Sequence, residues 1–233
     1  MTGYVFDIDD TLYCREDLIW QAANEAAEGV LSDRPGFIDL FYVLSDENFP
    51  LVESGAITAQ ESNIWRFEQC LQRNGVTRSR ERGVLAARLY TDLQNHITLS
   101  APLASLLDHL KEEGYLLGVL TNGETKHQWE KYHMLDLGRW IPEDMVVVSG
   151  QVGATKPDPA IYRIAQQRMN IAADDLWMIG DSYGGDIKGA SLAGWHSIWI
   201  NRRNAPTQDI TPDLIFRNEY EMTDYFLQKN RKP

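Results

Sequence analysis

The chain has 233 residues, 43% of them hydrophobic, and a formal net charge of −12. That length suits one domain or two, with enough apolar material for a substantial core. The acidic balance argues against a nucleic-acid polymer or an anionic membrane as partner, because both are bound through basic patches. No apolar run approaches the ~20 residues of a membrane span, and the first residues lack the basic segment, apolar stretch and cleavage site of a secretory leader. The expectation is a soluble cytoplasmic protein.

Tyr4–Ile8 is the first apolar run and reads as a buried strand. It leads into Asp7-Ile8-Asp9-Asp10-Thr11. The interval from Tyr13 to Ile97 then holds no convincing strand. Asp17–Leu31 has an Ala-rich helical composition. Thr58-Ala59-Gln60-Glu61 is a capping box opening a helix that carries Ile64, Trp65, Phe67 and Leu71. Gly83–Ile97 reads as a further helix. So long an interval is improbable as a loop inside one domain, so residues 14–97 are expected to form a helical subdomain inserted into a core of residues 1–13 and 98–233.

From Ser100 onward, strand and helix patterns alternate. Pro102–Glu113 places Leu103, Leu106, Leu107 and Leu110 at helical spacing before Gly114. Leu116–Leu120, Met145–Val148, Leu176–Ile179 and Ser197–Ile200 read as strands, and Leu214–Phe216 as a weaker one. Lys126–Met134, Pro159–Met169 and Asp186–Leu192 read as helices. Most of the strands are too continuously apolar to have a wet face, as in a parallel sheet covered on both sides. The fold class expected is α/β: a doubly wound, Rossmann-like parallel sheet with an inserted all-helical domain. The tail Gln228–Pro233 is expected to fray.

Four polar signals fall at or just beyond strand ends, where open α/β sheets bind ligands. Asp7 is a carboxylate able to attack phosphorus once a cation has neutralised the repulsion. Asp9 is placed to protonate a leaving group and later to activate water. An EF-hand reading of this stretch fails, because Leu12 and Leu18 stand where that loop needs Gly and Glu. Thr121-Asn122-Gly123 offers a hydroxyl, an amide and backbone N–H groups to phosphate oxygens. Lys156 can hold phosphate and stabilise charge on Asp7. Asp181 and Asp186 flank a Gly-rich turn, and hard oxygen ligands of this kind suit Mg²⁺. Each signal alone is compatible with a capped turn or a solvated side chain. Their joint placement points to metal-assisted phosphoryl transfer on a small phosphoester, with the cation and lysine reversing the field of an acidic protein.

In the order Asp7, Asp9 and Thr11, then Thr121, then Lys156, then Asp181 with Asp186, the chain resembles the haloacid dehalogenase-like (HAD) hydrolase superfamily along nearly its whole length. The run Gly180-Asp181-Ser182 to Asp186-Ile187-Lys188-Gly189-Ala190 carries the resemblance most specifically. The resemblance implies Mg²⁺ held by the Asp7 carboxylate, the Asp9 carbonyl and the Asp181 carboxylate. It implies that Asp186 supports the metal waters or Lys156, and that Thr11, Thr121, Asn122 and Lys156 form the phosphate site. It also implies that the helical insert is a type 1 cap that opens and closes over the substrate. Dehalogenases of the superfamily lack the second aspartate of the first motif, so Asp9 favours phosphatase chemistry. Thr121-Asn122-Gly123 and Glu53-Ser54-Gly55-Ala56-Ile57-Thr58 are similar to its nucleoside-monophosphate phosphatases. A nucleoside monophosphate or a sugar phosphate is the expected substrate class. A phosphomutase, a dehalogenase and a non-catalytic binding protein on this scaffold are the alternatives.

Other residues are read conservatively. Tyr13 and Arg15 lie at the junction to the insert, and Arg15 is either a surface residue or a contact for a substrate head group. Trp65 and Phe67 are assigned to core packing, with a cleft-facing position as the alternative, and His127 and His133 to a helix surface. Cys14 and Cys70 match no metal pattern; they are read as free thiols, with a Cys14–Cys70 disulfide as the alternative.

Overall fold

The computed structural model describes residues 1–229. β1 (Gly3–Phe6) is buried along its full length. It pairs in parallel with β2 (Leu116–Thr121) on one side and β4 (Leu176–Gly180) on the other. β3 (Val146–Val148), β5 (His196–Ile200) and β6 (Leu214–Phe216) complete a six-stranded, wholly parallel sheet of order β3-β2-β1-β4-β5-β6. The order reverses between β1 and β4, so that strand pair is the switch point where a crevice opens beyond the carboxyl ends. Strands covered on both faces need apolar side chains throughout, which is why Val119, Leu120, Val147, Met178 and Ile198 are all buried.

The first strand stops at Phe6 rather than at the expected Ile8. Asp7 N–H still donates to the Ile179 carbonyl at 2.9 Å, continuing the β1–β4 ladder by one residue. The chain then turns: the N–H of Leu12 donates to the Ile8 carbonyl at 3.0 Å, and Asp10 takes a left-handed φ of 56°.

Contacts divide the chain into two compact units, one of Met1–Tyr13 with the chain from Ile97 onward, the other of Cys14–His96. The second unit holds α1 (Arg15–Ala26), α2 (Arg34–Glu53), α3 (Ala59–Arg73) and α4 (Ser79–Gln94). Its core gathers Ile19, Phe37, Phe41, Leu44, Phe67, Leu71 and Tyr90, with Trp65 packed against it. α3 opens on the capping box: Glu61 N–H donates to Thr58 Oγ1 at 3.1 Å, and Thr58 N–H to Glu61 Oε2 at 2.8 Å.

Three helical expectations in this unit shift. α1 ends at Ala26 rather than Leu31, because Glu28 and Gly29 take left-handed φ values of 59° and 78°. α2 was not singled out by pattern; Pro35, Gly36 and Pro50 disguise its buried spacing of Phe37, Ile38, Phe41 and Leu44. α4 begins at Ser79, so Gly83 lies inside it. A Cβ on Gly83 would come within 2.9 Å of the Glu68 backbone of α3, so this glycine marks a close helix crossing and not a helix start.

In the sheet-bearing unit, α5 (Ala101–Glu112) buries the four leucines named above. α6 (Thr125–Met134), α7 (Ser149–Val152), α8 (Pro159–Met169), α9 (Lys188–Leu192) and α10 (Glu219–Lys229) follow. The helix expected from Asp186 begins as a π-helical turn, Tyr183–Ile187, before α9. The fraying expected from Gln228 does not hold for Gln228 and Lys229, which end α10, and residues 230–233 lie outside the described residues. Cys14 and Cys70 form no disulfide with each other, which removes that alternative. Burial pushes the Cys70 thiol up to about 12.

Candidate active site

The turn after β1, the end of β2, the loop after β3 and the turn after β4 bring Asp7, Thr121, Lys156, Asp181 and Asp186 to the carboxyl edge of one sheet. Lys156 is the hub. Its Nζ lies 2.8 Å from an Asp7 oxygen and 2.6 Å from Asp186 Oδ1, with side-chain exposures of 4%, 9% and 0% for Lys156, Asp7 and Asp186. Burial alone pushes the Lys156 amine down, but Asp186 and Asp7 outweigh it and hold the ammonium above its ordinary range. Burial, helped by the Asp7 charge, outweighs the pull of Lys156 and the Ser182 N–H and holds the Asp186 carboxyl up at about 6.

Asp186 is held from below as well as in front. Ser182 N–H donates to its Oδ2 at 3.0 Å, and the buried Tyr162 hydroxyl donates to the Gly185 carbonyl at 2.8 Å, bracing the π-helical turn. Gly180 makes the approach possible: a Cβ there would sit 2.1 Å from Asp186 Oδ2. One oxygen from each of Asp7, Asp181 and Asp186 lies within 4.8 Å of the others. Three carboxylates that close repel one another, and one lysine neutralises only part of their charge. Their hard oxygen donors fit a Mg²⁺-type cation.

Asn122, expected in the phosphate site, has its side chain on the loop that carries Lys156. Its Nδ2 donates to the Lys156 carbonyl at 3.0 Å and its Oδ1 accepts from the Lys156 N–H at 2.8 Å. The amide therefore fastens the loop that carries the lysine. Thr121 Oγ1 donates to Gln128 Oε1 at 3.2 Å. Gly123 N–H donates to Ser149 Oγ at 2.9 Å. The Thr11 hydroxyl is buried and has no hydrogen-bond partner.

Asp9 is the centre of a second cluster. Lys131 Nζ reaches both of its carboxylate oxygens, at 2.6 and 2.7 Å, Gln128 Nε2 donates to Oδ2 at 3.1 Å, and the Tyr13 hydroxyl donates to Oδ1. Sequence reasoning missed Lys131 and Gln128. Their one signal was the three-residue spacing, which places both on one face of α6. Arg202 was also missed: it donates to the Asp10 carbonyl and pairs with Glu219 at 2.9 Å, tying the loop after β5 to the turn that carries the aspartates.

Arg15 stands over the Tyr42 ring at 6.0 Å within the helical unit. Phe67 and Trp65 serve that unit's core. His127 is exposed beside Glu124, and His133 is exposed on α6.

Residues 1–194 match the family model described as haloacid dehalogenase-like hydrolase. The chain is 29% identical over 230 residues to a glyceraldehyde 3-phosphate phosphatase of Methanopyrus kandleri, covering 98% of this chain and 93% of that one. It is 33% identical over 199 residues to a glyceraldehyde 3-phosphate phosphatase of Methanothermobacter thermautotrophicus, covering 84% of each. Among solved structures, the HAD-hydrolase YfnB of Bacillus subtilis superposes with a TM-score of 0.66 at 24% identity, over 97% of this chain and 98% of that one. The protein belongs to the haloacid dehalogenase-like hydrolases. Within that family it is an enzyme of the phosphoric monoester hydrolase class.

Proposed function

We propose that this enzyme is a Mg²⁺-dependent phosphatase of small soluble phosphomonoesters that works through an aspartyl-phosphate on Asp7. The observation that carries the reading is the Lys156 ammonium bridging Asp7 and Asp186, with Asp181 close enough to share a cation, at the switch point of the sheet. Asp7, Asp181 and the Asp9 carbonyl would hold the metal, with Asp186 in support. When bound, the cation supplies Lewis-acid charge neutralisation for an anionic nucleophile meeting an anionic substrate.

The chain's own residues do the rest. An Asp7 carboxylate oxygen attacks phosphorus as the bond from phosphorus to the leaving oxygen breaks. Lys156 fixes the angle of that carboxylate, since its other contact, Asp186, is locked by Ser182 and Tyr162. Protonated Asp9 gives its proton to the leaving oxygen. It then takes a proton from the water that cleaves the Asp7–phosphate bond, which returns Asp7 as a carboxylate and releases inorganic phosphate. The buried Thr11 hydroxyl, the Thr121 hydroxyl once it turns from Gln128, and the Asn122 N–H supply phosphate donors, with the Asn122 side chain acting through the Lys156 loop. Segment 14–97 is assigned as the family's cap and 1–13 with 98–233 as its catalytic core. The substrate class is a sugar phosphate or a nucleoside monophosphate, in keeping with relatives named glyceraldehyde 3-phosphate phosphatase and pyrimidine 5′-nucleotidase.

Asp7→Asn keeps the shape and removes the anionic oxygen, so phosphate release should fall by roughly a thousandfold or more. Excess chelator should abolish wild-type turnover, and Mg²⁺ should restore it. Near-normal release by Asp7→Asn, or full activity in chelator, would overturn the mechanism.

A further inference from the structure

We infer that Lys131, assisted by Gln128, is a positioning residue for the Asp9 carboxylate. The proposal rests on the reading of Asp9 as the proton carrier. Two residues of one α6 face converge on this single side chain. Lys131 Nζ contacts both oxygens, at 2.6 and 2.7 Å, which fixes the plane of the ionised carboxylate that accepts the water proton; in the acid form one oxygen carries the proton and Lys131 keeps the other. Gln128 holds the Oδ2 side at 3.1 Å and the Tyr13 hydroxyl holds the Oδ1 side. Side-chain exposures of 15% for Lys131 and 17% for Asp9 leave the pair largely out of water.

Gln128 extends the arrangement. Its Nε2 also donates to the Asn122 carbonyl at 3.2 Å, while its Oε1 accepts from Thr121 at 3.2 Å. α6 thus spans from the Asp9 turn to the Thr121 turn, so the orientation of the carboxylate is referred to the strand end expected to meet phosphate. A largely buried ion pair contributes little net stability, because desolvation offsets the Coulombic gain. What it supplies is geometry. A general acid acts only from within hydrogen-bond reach of the oxygen it protonates, and small misplacements are costly. Asp9 sits on a turn with a left-handed neighbour, Asp10. Such a side chain needs an external guide, and Lys131 is that guide.

The test uses the full-length enzyme with saturating Mg²⁺ and two substrates, p-nitrophenyl phosphate and phenyl phosphate. The second leaves as the stronger base and needs more protonation. For Lys131→Met, kcat on phenyl phosphate should fall by about a hundredfold and on p-nitrophenyl phosphate by about threefold or less, with KM moving less than about threefold. Lys131→Arg should recover most of the loss. Adding Lys131→Met to Asp9→Asn should cost little more, since the lysine acts through the aspartate. Equal losses on both substrates for Lys131→Met, beside unequal losses for Asp9→Asn, would overturn the proposal alone. So would a raised KM at unchanged kcat, which would make Lys131 a substrate contact. Equal losses for Asp9→Asn would remove the role of Asp9 and the proposal with it. Should Lys131→Met fail to fold, Lys131→Gln, which removes the charge and keeps an amide donor, should show the same split between the two substrates at a smaller size.

Discussion

Removing the cation at the hub should expose how much of the protein's stability depends on its catalytic charges. In Lys156→Met the apolar stem is retained while Asp7 and Asp186 lose the ammonium 2.8 and 2.6 Å away. Asp186 is fully enclosed and keeps the Ser182 N–H as a donor, and Asp7 is nine-tenths buried, so neither charge can be handed to water. Breaking a buried pair by deleting one partner costs about 3–5 kcal/mol. For a chain of this size, each kcal/mol shifts the midpoint by about 2–4 °C, so Tm should drop by roughly 6–20 °C. Thermal unfolding followed by circular dichroism, in excess chelator, measures this. Mg²⁺ should then raise the Tm of Lys156→Met more than that of the parent, because a cation replaces the missing charge. Adding Asp186→Asn should recover part of the loss by removing one stranded carboxylate. The reasoning fails if Lys156→Met melts within a degree or two of the parent, or if the double variant melts below the single one.

Gly180→Ala should lower both stability and turnover, because its Cβ would meet Asp186 Oδ2 at 2.1 Å and Cγ at 2.3 Å. Overpacking of this kind costs about 1–3 kcal/mol, and a urea midpoint and kcat equal to those of the parent would show that Asp186 has room to retreat. Phe67→Ala removes a fully buried ring packed 4.7 Å from Phe41 and 5.9 Å from Tyr90. It should destabilise the helical unit by about 3–5 kcal/mol; a loss below about 1 kcal/mol in urea unfolding would contradict that core.

What the sequence determined by itself follows from short-range rules. Continuous apolar runs such as Val146–Val148 and Leu176–Ile179 have no wet face, so they specified a parallel sheet covered on both sides. Strand ends are where such sheets bind ligands, so the polar residues beyond them mark a single edge. The capping box at Thr58 and Glu61 was legible because both partners lie within four residues. α2 was hidden, since its prolines and glycine read as breakers although Asp33 caps it and Pro35 stands in its first turn. The tertiary structure alone decided the partners. Asp9 meets Lys131 across 122 positions, and Asn122 meets the Lys156 backbone across 34. Neither pairing has a local signature, because a lysine or an asparagine in a turn or on a helix looks solvated until the sheet brings distant loops together. Gly180 and Gly83 belong with them. A missing side chain carries no sign of what approaches it, and only the packed chain shows a carboxylate resting on one and a helix backbone on the other.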